Sequence, residues 1–442
     1  MSAPREVTLA SVRKLKPNKR NARTHSKKQI LEIVELVRRY GWTYPILIDE
    51  DGYIIAGHAR YQAALYLRLT RVPIIVMTGL SDAEKRALAL ADNKVAANAG
   101  WDRAALAAEL GELAVLLPEC DLNINITGFE AAEIDNLLGD FLDPEADPAD
   151  ELPAPAQTAV SRAGDLWQLG THHLKCGNAL SPADLRSLMG AERATTVIAD
   201  APFNVRIKSV VGRGRVKYRE FAQASGEMSS AQFTDFLRKA MTLAAQYSIN
   251  GSIALWFIDW RHIGEMLAAG RRVYGELINL VVWNKTNAGQ GSFYRSKHEL
   301  IFVYKNGDGR HINNIELGRH GRNRANVWEY GRLAASRTGH LDNQAMHPTQ
   351  KPVAMIADAL RDVSRRGDIV LDPFMGSGTC ILAAEKVGRR GYGLEIDPLY
   401  VDVAVRRWQT YTNRDAILKA TGQTFDEVAE AHLPSPRVRR SK

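Results

Sequence analysis

Cysteine is scarce in this chain: Cys120, Cys176 and Cys380 are the three present, far apart and without CxxC spacing. That excludes a disulfide framework or a zinc site built on paired cysteines, and it suits a reducing compartment. Long apolar runs are missing too. The longest, such as Ile253 to Ile258, fall far short of a membrane span, and no apolar signal segment opens the sequence. A cytoplasmic protein with no membrane partner is expected. Neither a GxxxxGK(S/T) phosphate loop nor a GxGxxG turn occurs, which removes two common nucleotide fingerprints. No metal-ligand cluster and no internal repeat stand out. Disorder is excluded by composition, because 45% of the residues are hydrophobic and 24% charged.

What is present is length enough for two or three domains, 442 residues, and a net charge of +8. A basic excess raises the odds of a nucleic-acid partner, since Lys and Arg that neutralise phosphates release counterions. The most informative stretch is Ile369 to Thr379. An apolar run ends at Asp372 and passes through Pro373, Phe374, Gly376, Ser377 and Gly378 into a helical pattern, so the order is strand, tight turn, helix. Glycines permit positive φ and close approach of a ligand, and open α/β sheets bind ligands at strand carboxyl ends. A second strand, Tyr392 to Ile396, brings Glu395 to its tip, placed to accept hydrogen bonds from ribose hydroxyls. Asp, Pro and Phe occupy positions where a pyrophosphate would want bare amides and a cation. An adenosine carrying a sulfonium and an amino acid end suits them better.

A second buried strand, Thr196 to Ala199, delivers Asp200 to its tip, followed by Ala201, Pro202, Phe203 and Asn204. The exocyclic amine of a base is a poor nucleophile. The Asp200 carboxylate and the carbonyl oxygen of Ala201 are placed to grip its two hydrogens and aim its lone pair, while Phe203 offers a face for stacking. The next stretch, Val205 to Arg219, holds Arg206, Lys208, Arg213, Arg215, Lys217 and Arg219 with little apolar content, a loop suited to a phosphate backbone. Arg310 to Arg337, including Arg322 and Arg324, is rich in Arg, His and Asn and is the candidate for target recognition or phosphate contact.

Residues Asp372 to Thr379 resemble the S-adenosylmethionine motif of DNA amino-methyltransferases. His347-Pro348-Thr349-Gln350-Lys351-Pro352 is similar to the segment that precedes that motif in the circularly permuted branch, and Asp200 to Phe203 to its Asp-Pro-Pro-Tyr/Phe motif, with Ala201 for the first proline. The likeness covers nearly all of residues 164–410. It implies an S-adenosyl-L-methionine site at Asp372, Pro373, Phe374, Gly376, Gly378, Thr379 and Glu395, with Thr349 and Lys351 at the cofactor carboxylate. Asn178 stands where the family usually carries an acid that meets the adenine amino group. An acidic first residue at Asp200 favours adenine N6 over cytosine N4.

The beginning of the chain reads as a small α/β unit. A helix over Ile30 to Val37 ends at Gly41, a hairpin turns at Asp51-Gly52, and Gly57-His58-Ala59-Arg60 opens a helix, with a further strand over Val72 to Met77. Free amides and a basic side chain at that helix start make an anion site. Asn21-Ala22-Arg23, Ile55 to Arg60 and Ala91-Asp92-Asn93-Lys94 resemble the ParB N-terminal domain, a relative of sulfiredoxin. The resemblance implies nucleotide phosphates near Gly57, His58, Arg60 and Asn93, although Ala96 stands where ParB proteins have an arginine, so hydrolysis is not expected.

The resulting expectation is an α/β protein with a Rossmann-like doubly wound methyltransferase sheet preceded by a smaller ParB-like α/β domain. Residues 1–141 form the ParB/sulfiredoxin-like domain with a helical extension, 142–160 an acidic Pro/Ala linker, 161–420 the methyltransferase and 421–442 a basic tail. Double-stranded DNA is the expected partner, and a homodimer is left open. Cytosine N4 methylation and a non-catalytic DNA-binding regulator are the alternatives.

Overall fold

The computed structural model describes residues 6–120, 122, 124–139, 148–153, 158–205, 224–285, 293–315, 324–331 and 350–432. It divides into two compact units, Met1–Phe141 and Leu142–Lys442. No helix among the described residues is long and apolar enough to cross a membrane.

The first unit is built on a four-stranded sheet of β1 (Thr8–Ser11), β2 (Ile46–Asp49), β3 (Ile54–Ala56) and β4 (Arg71–Met77), in the order β1-β4-β2-β3. β2 and β4 run parallel, and the other pairs are antiparallel. The β2–β3 turn forms because the Asp49 carboxylate accepts from the backbone N–H groups of Asp51 (3.1 Å) and Tyr53 (2.8 Å). Such an Asx turn is a local instruction in the sequence. Val12, Leu15, Ile46, Ile48, Ile54, Ala64, Val72 and Ile74 fill the core beneath. The Lys27–Tyr40 helix starts at Ser26, whose hydroxyl accepts from Gln29 N–H, and stops at Gly41 with φ 77°. Two further helices, Arg103–Glu119 and Ala131–Gly139, close on a small core of their own around Ala107, Leu110, Ile124, Ile134 and Leu137.

The second unit contains β5 (Leu166–Leu169), β6 (His172–Cys176), β7 (Ala194–Ala199), β8 (Ser248–Ile258), β9 (Glu276–Asn284), β10 (His298–Lys305), β11 (Val327–Glu329), β12 (Ile369–Asp372), β13 (Arg390–Glu395) and β14 (Ile417–Leu418). They make one sheet in the order β11-β9-β10-β8-β7-β12-β13-β6-β5-β14. Its centre, β8-β7-β12-β13-β6, is parallel. Both faces are covered, which is why β7, β8 and β12 carry apolar runs. Ile198, Leu255 and Phe257 face one core with Ile356, Leu360, Ile381 and Trp408; their neighbours Val197, Trp256 and Ile258 face the other with Phe233, Leu237 and Met266. The alternation follows from the two-residue repeat of a strand.

Two boundaries differ from the sequence expectation. The described part of 142–160 is packed: Pro148–Asp150 forms a 3-10 turn, Ala149 and Val160 are buried, and the Asp150 carboxylate accepts from Val353 N–H at 2.9 Å. Acidic composition suggested an exposed linker, and the bond that holds Asp150 in place comes from a residue 203 positions away, which local composition does not show. Nor does a tail begin at 421. Phe425–His432 is a helix, with the Phe425 ring 5.1 Å from that of Trp167.

Candidate active site

β7 and β12 are neighbours, paired in parallel with Val370 opposite Thr196 and Leu371 opposite Val197. From β7 the chain continues to β8 on one side, and from β12 to β13 on the other. The crevice at the carboxyl ends of β7 and β12 is therefore the point where the winding reverses, where open α/β sheets bind ligands. Asp200 follows the last residue of β7 and Asp372 ends β12; by the register Asp372 falls opposite Ile198, so the two acids leave neighbouring strands with Asp200 further along the strand direction.

The β12 tip continues into the glycine turn. Gly376 has φ 54° and Gly378 φ 87°, both left-handed. A Cβ on Gly378 would lie 2.7 Å from the Cβ of Ala404, so the Thr379–Lys386 helix can start here only with glycine at its cap. Asp372 is buried and accepts from Phe374 N–H at 2.9 Å. Burial pushes its carboxyl well above the ordinary range, and the charges of Asp200 and Glu395 add to that. Glu395, at the end of β13, accepts from Gly376 N–H through Oε2 and from Asp397 N–H through Oε1, both at 2.8 Å. Burial raises its carboxyl to about 7 against those two bonds. Each carboxylate oxygen has two lone-pair directions, so Glu395 keeps acceptor capacity that two hydroxyl donors would use. An acid with unspent lone pairs beside a left-handed glycine turn fits a ribose, and so an S-adenosylmethionine nucleoside, and would repel a phosphate.

Other expected cofactor residues are placed differently. The Phe374 ring packs on Phe236 and Trp256, at 6.0 and 6.3 Å between centroids. Asn178 makes a turn: its Oδ1 accepts from Leu180 N–H at 2.9 Å, and its N–H donates to Asp184 at 3.0 Å. A carboxylate thus lies against this turn, supplied by Asp184 from the next helix. Lys351, expected at the cofactor carboxylate, has its Nζ 2.6 Å from Asp200 Oδ2 and 3.1 Å from Glu299 Oε2. Ala201 is buried and Phe203 half-buried, the Phe203 ring facing the Lys351 ammonium at 5.5 Å. Asn204, at φ 53°, accepts from Gly226 and Met228 N–H, at 3.1 and 3.2 Å.

Thr349, Arg206, Lys208, Arg213, Arg215, Lys217, Arg219 and Arg322 lie outside the described residues. Arg324, expected to face DNA, is instead a structural clamp. Its guanidinium pairs with Asp362 (2.8 Å) and Asp358 (3.4 Å) and stacks on Trp328 at 4.9 Å, holding the edge strand β11 against the Val353–Val363 helix. Sequence reading missed three site residues. Glu299 and Lys285 are ion-paired at 2.5 Å beside Lys351. Arg407, buried under the glycine turn, donates to the carbonyl oxygens of Ser377 (2.6 Å) and Ala149 (2.7 Å). Glu299 had a signal, an acid heading the apolar strand Leu300 to Tyr304; Arg407 had none.

In the first unit, Gly57 has φ 97° and caps the His58–Tyr66 helix. His58 Nε2 accepts from Asn18 N–H at 3.3 Å, and burial, helped by His25, lowers its pKa. Arg60 stacks on Tyr44 at 5.2 Å. Asn93 donates back to Ala89 O (2.8 Å) and takes Arg23 on its own carbonyl (3.2 Å), so two of the motif pieces meet.

Comparison with known proteins finds three family matches along the chain. Residues 2–94 match the ParB N-terminal domain, 104–163 the ParB-methyltransferase HTH domain and 194–406 the DNA methylase family. The HTH match takes in the two helices read above as an extension. The ParB-like nuclease domain-containing protein YnaK of Escherichia coli (strain K12) is 45% identical over 86 residues, 20% of this chain and 99% of that protein. The type II methyltransferase M.HpaI of Haemophilus parainfluenzae is 36% identical over 104 residues, 24% of this chain and 31% of its own length. The M1.HpyAVI–SAM complex is 18% identical with a TM-score of 0.39, covering 53% of this chain and 97% of that one. The chain thus spans nearly all of one curated relative and under a third of the other. DNA methylases of this kind use S-adenosylmethionine as cofactor. With motif, geometry and both matches in agreement, the chain belongs to the ParB-like family through its first unit and to the N6/N4 DNA methyltransferases through its second.

Proposed function

We propose that the second unit methylates the N6 amine of adenine in double-stranded DNA, by direct in-line transfer to a base swung out of the duplex. The observation that carries this reading is the adjacency of Asp200 and Asp372 at the switch point of the sheet. S-adenosylmethionine, held by Glu395, Asp372 and the turn at Gly376, supplies an electrophilic sulfonium methyl. Everything else falls to the chain. Asp200 and the Ala201 carbonyl accept the two amine hydrogens, drawing the nitrogen lone pair out of conjugation and toward the methyl. Phe203 offers a stacking face. The nitrogen gains a methyl and sheds one proton, for which Asp200 is the nearest base. The carboxylate at position 200 favours adenine over cytosine. For the first unit we propose phosphate binding at Gly57, His58 and Arg60, supported by the left-handed cap and the Arg60 guanidinium in the first helical turn.

The test is transfer of labelled methyl from S-adenosylmethionine to DNA, followed by mass spectrometry of the nucleosides. N6-methyladenine is expected; N4-methylcytosine would reassign the base, and absence of label on any DNA would leave a non-catalytic regulator.

A further inference from the structure

Around Asp200 the chain has assembled more charge than a two-acceptor grip requires. Lys351 is buried, its side chain 5% exposed, and its ammonium touches two carboxylates, Asp200 and Glu299. Glu299, itself 6% exposed, holds Lys285 on its other oxygen. Two cations and two anions thus alternate in the line Asp200, Lys351, Glu299, Lys285. Aromatic faces wall it in: Phe257 lies 5.3 Å and Trp283 5.9 Å from the Lys351 ammonium, and Trp283 is 4.9 Å from that of Lys285. Burying such a set is costly unless every member is paired, so an arrangement like this is held for what it does to one of its members.

The member in the crevice is Asp200. Lys351 occupies its Oδ2 and so leaves Oδ1 for an incoming donor. With the Lys351 ammonium donating to Oδ2, a proton taken up by Asp200 would sit on Oδ1 and set a donor against the amine's donor, so the ionised form is the one that accepts there. Two acids face it: Glu299 from β10 works against its ionisation, and Asp372 from β12 is close enough that the charge of Asp200 raises the Asp372 carboxyl. Burial works against it as well. Lys351 opposes them at contact distance, and Lys285 from the end of β9 adds a weaker pull. Glu299, though buried, is held ionised by Lys351 and Lys285.

We propose that Lys351 is a positioning residue of the methyl transfer: it keeps Asp200 a carboxylate with one oxygen presented to the target amine, while Glu299 anchors Lys351 in place. This rests on the methyltransferase reading of Asp200 and goes beyond it, because Lys351 then serves the acid and not the cofactor carboxylate.

The experiment compares the full-length wild type with Lys351→Met and Glu299→Gln. Label transfer to DNA at saturating cofactor is measured across pH, and S-adenosylmethionine affinity by calorimetry. Lys351→Met should move the acid limb of the rate profile upward by about one to three pH units, with activity recovering as pH rises, and leave cofactor affinity within about threefold of wild type. Glu299→Gln removes a negative neighbour while its amide oxygen still accepts from Lys351, and should move the same limb downward. A variant with only a packing defect would lose rate without either directed shift. An unmoved acid limb in Lys351→Met, or a cofactor affinity weakened more than about tenfold, overturns the proposal. If Lys351→Met does not fold, Glu299→Gln decides alone: an unmoved or raised limb overturns it. A wild type that transfers no methyl to DNA sinks the methyltransferase reading itself, whereas an active wild type with unshifted variants sinks this proposal only.

Discussion

With Glu395 in the proposed ribose-binding role, the cofactor site takes on a pH dependence whose size follows from its surroundings. Burial lifts its carboxyl to about 7, against backbone bonds from Gly376 and Asp397 that favour the charged form. Ribose hydroxyls donate, and a carboxylate is a much stronger acceptor than the acid, so they favour the charged form. Below about pH 7 binding must first remove a proton, and affinity falls up to tenfold per pH unit. Between about pH 8 and about pH 5.5 the expected loss is on the order of 30-fold, or ~2 kcal/mol. The sign for folding is the opposite of the usual acid. Between the ordinary glutamate range and about 7 the folded chain holds a proton that the unfolded chain has released, so unliganded stability falls as pH rises through that window. Calorimetric titration with S-adenosylmethionine measures the effect, and Glu395→Gln supplies the control. The variant should bind weakly and show a shallower slope than wild type between about pH 7 and about pH 5.5; any contribution from the cofactor's own amino group or from Asp372 cancels in the difference. Equal slopes in the two proteins would refute the assignment of Glu395 to the ribose.

Gly378→Ala places a Cβ 2.7 Å from Ala404 Cβ and forces φ 87° on an L-residue. We expect about 2–4 kcal/mol of destabilisation by urea unfolding, and loss of cofactor binding with it. Arg324→Ala removes one cation from beside Asp358 and Asp362, so it should lower thermal stability, while the slope of log DNA affinity against log salt stays that of wild type. A slope shallower by about one phosphate would return Arg324 to the DNA-facing set.

Much of this architecture was readable beforehand because the physics that sets it is local. Strands covered on both faces declare themselves as apolar runs, and Gly57, Gly376 and Gly378 marked left-handed turns where they stand. Asp49 and Ser26 fixed a hairpin and a helix start within a few residues. What escaped was set by pairing across the chain. Lys351 and Asp200 are 151 positions apart, and Arg407 supports Ser377 from 30 positions away. Nothing near either residue announces its partner. Arg324 was misplaced for a related reason: it lies in a polar stretch with little periodicity, and its two acids sit one helical turn apart on a different element. The strand beside it, Val327–Glu329, is too short to show a pattern. Phe425–His432 was hidden by the basic residues that follow it.

The central claim is that an amine gripped at Asp200 faces a methyl held beside Gly376, and one paired assay bears on it most directly. Wild type and Asp200→Ala are each given labelled S-adenosylmethionine and DNA, and label on purified nucleosides is counted alongside cofactor affinity. The account predicts N6-methyladenine from wild type and a rate lower by about a hundredfold or more from the variant, with cofactor affinity unchanged within about threefold. Undiminished transfer by Asp200→Ala, or a matching collapse of its cofactor binding, would contradict it.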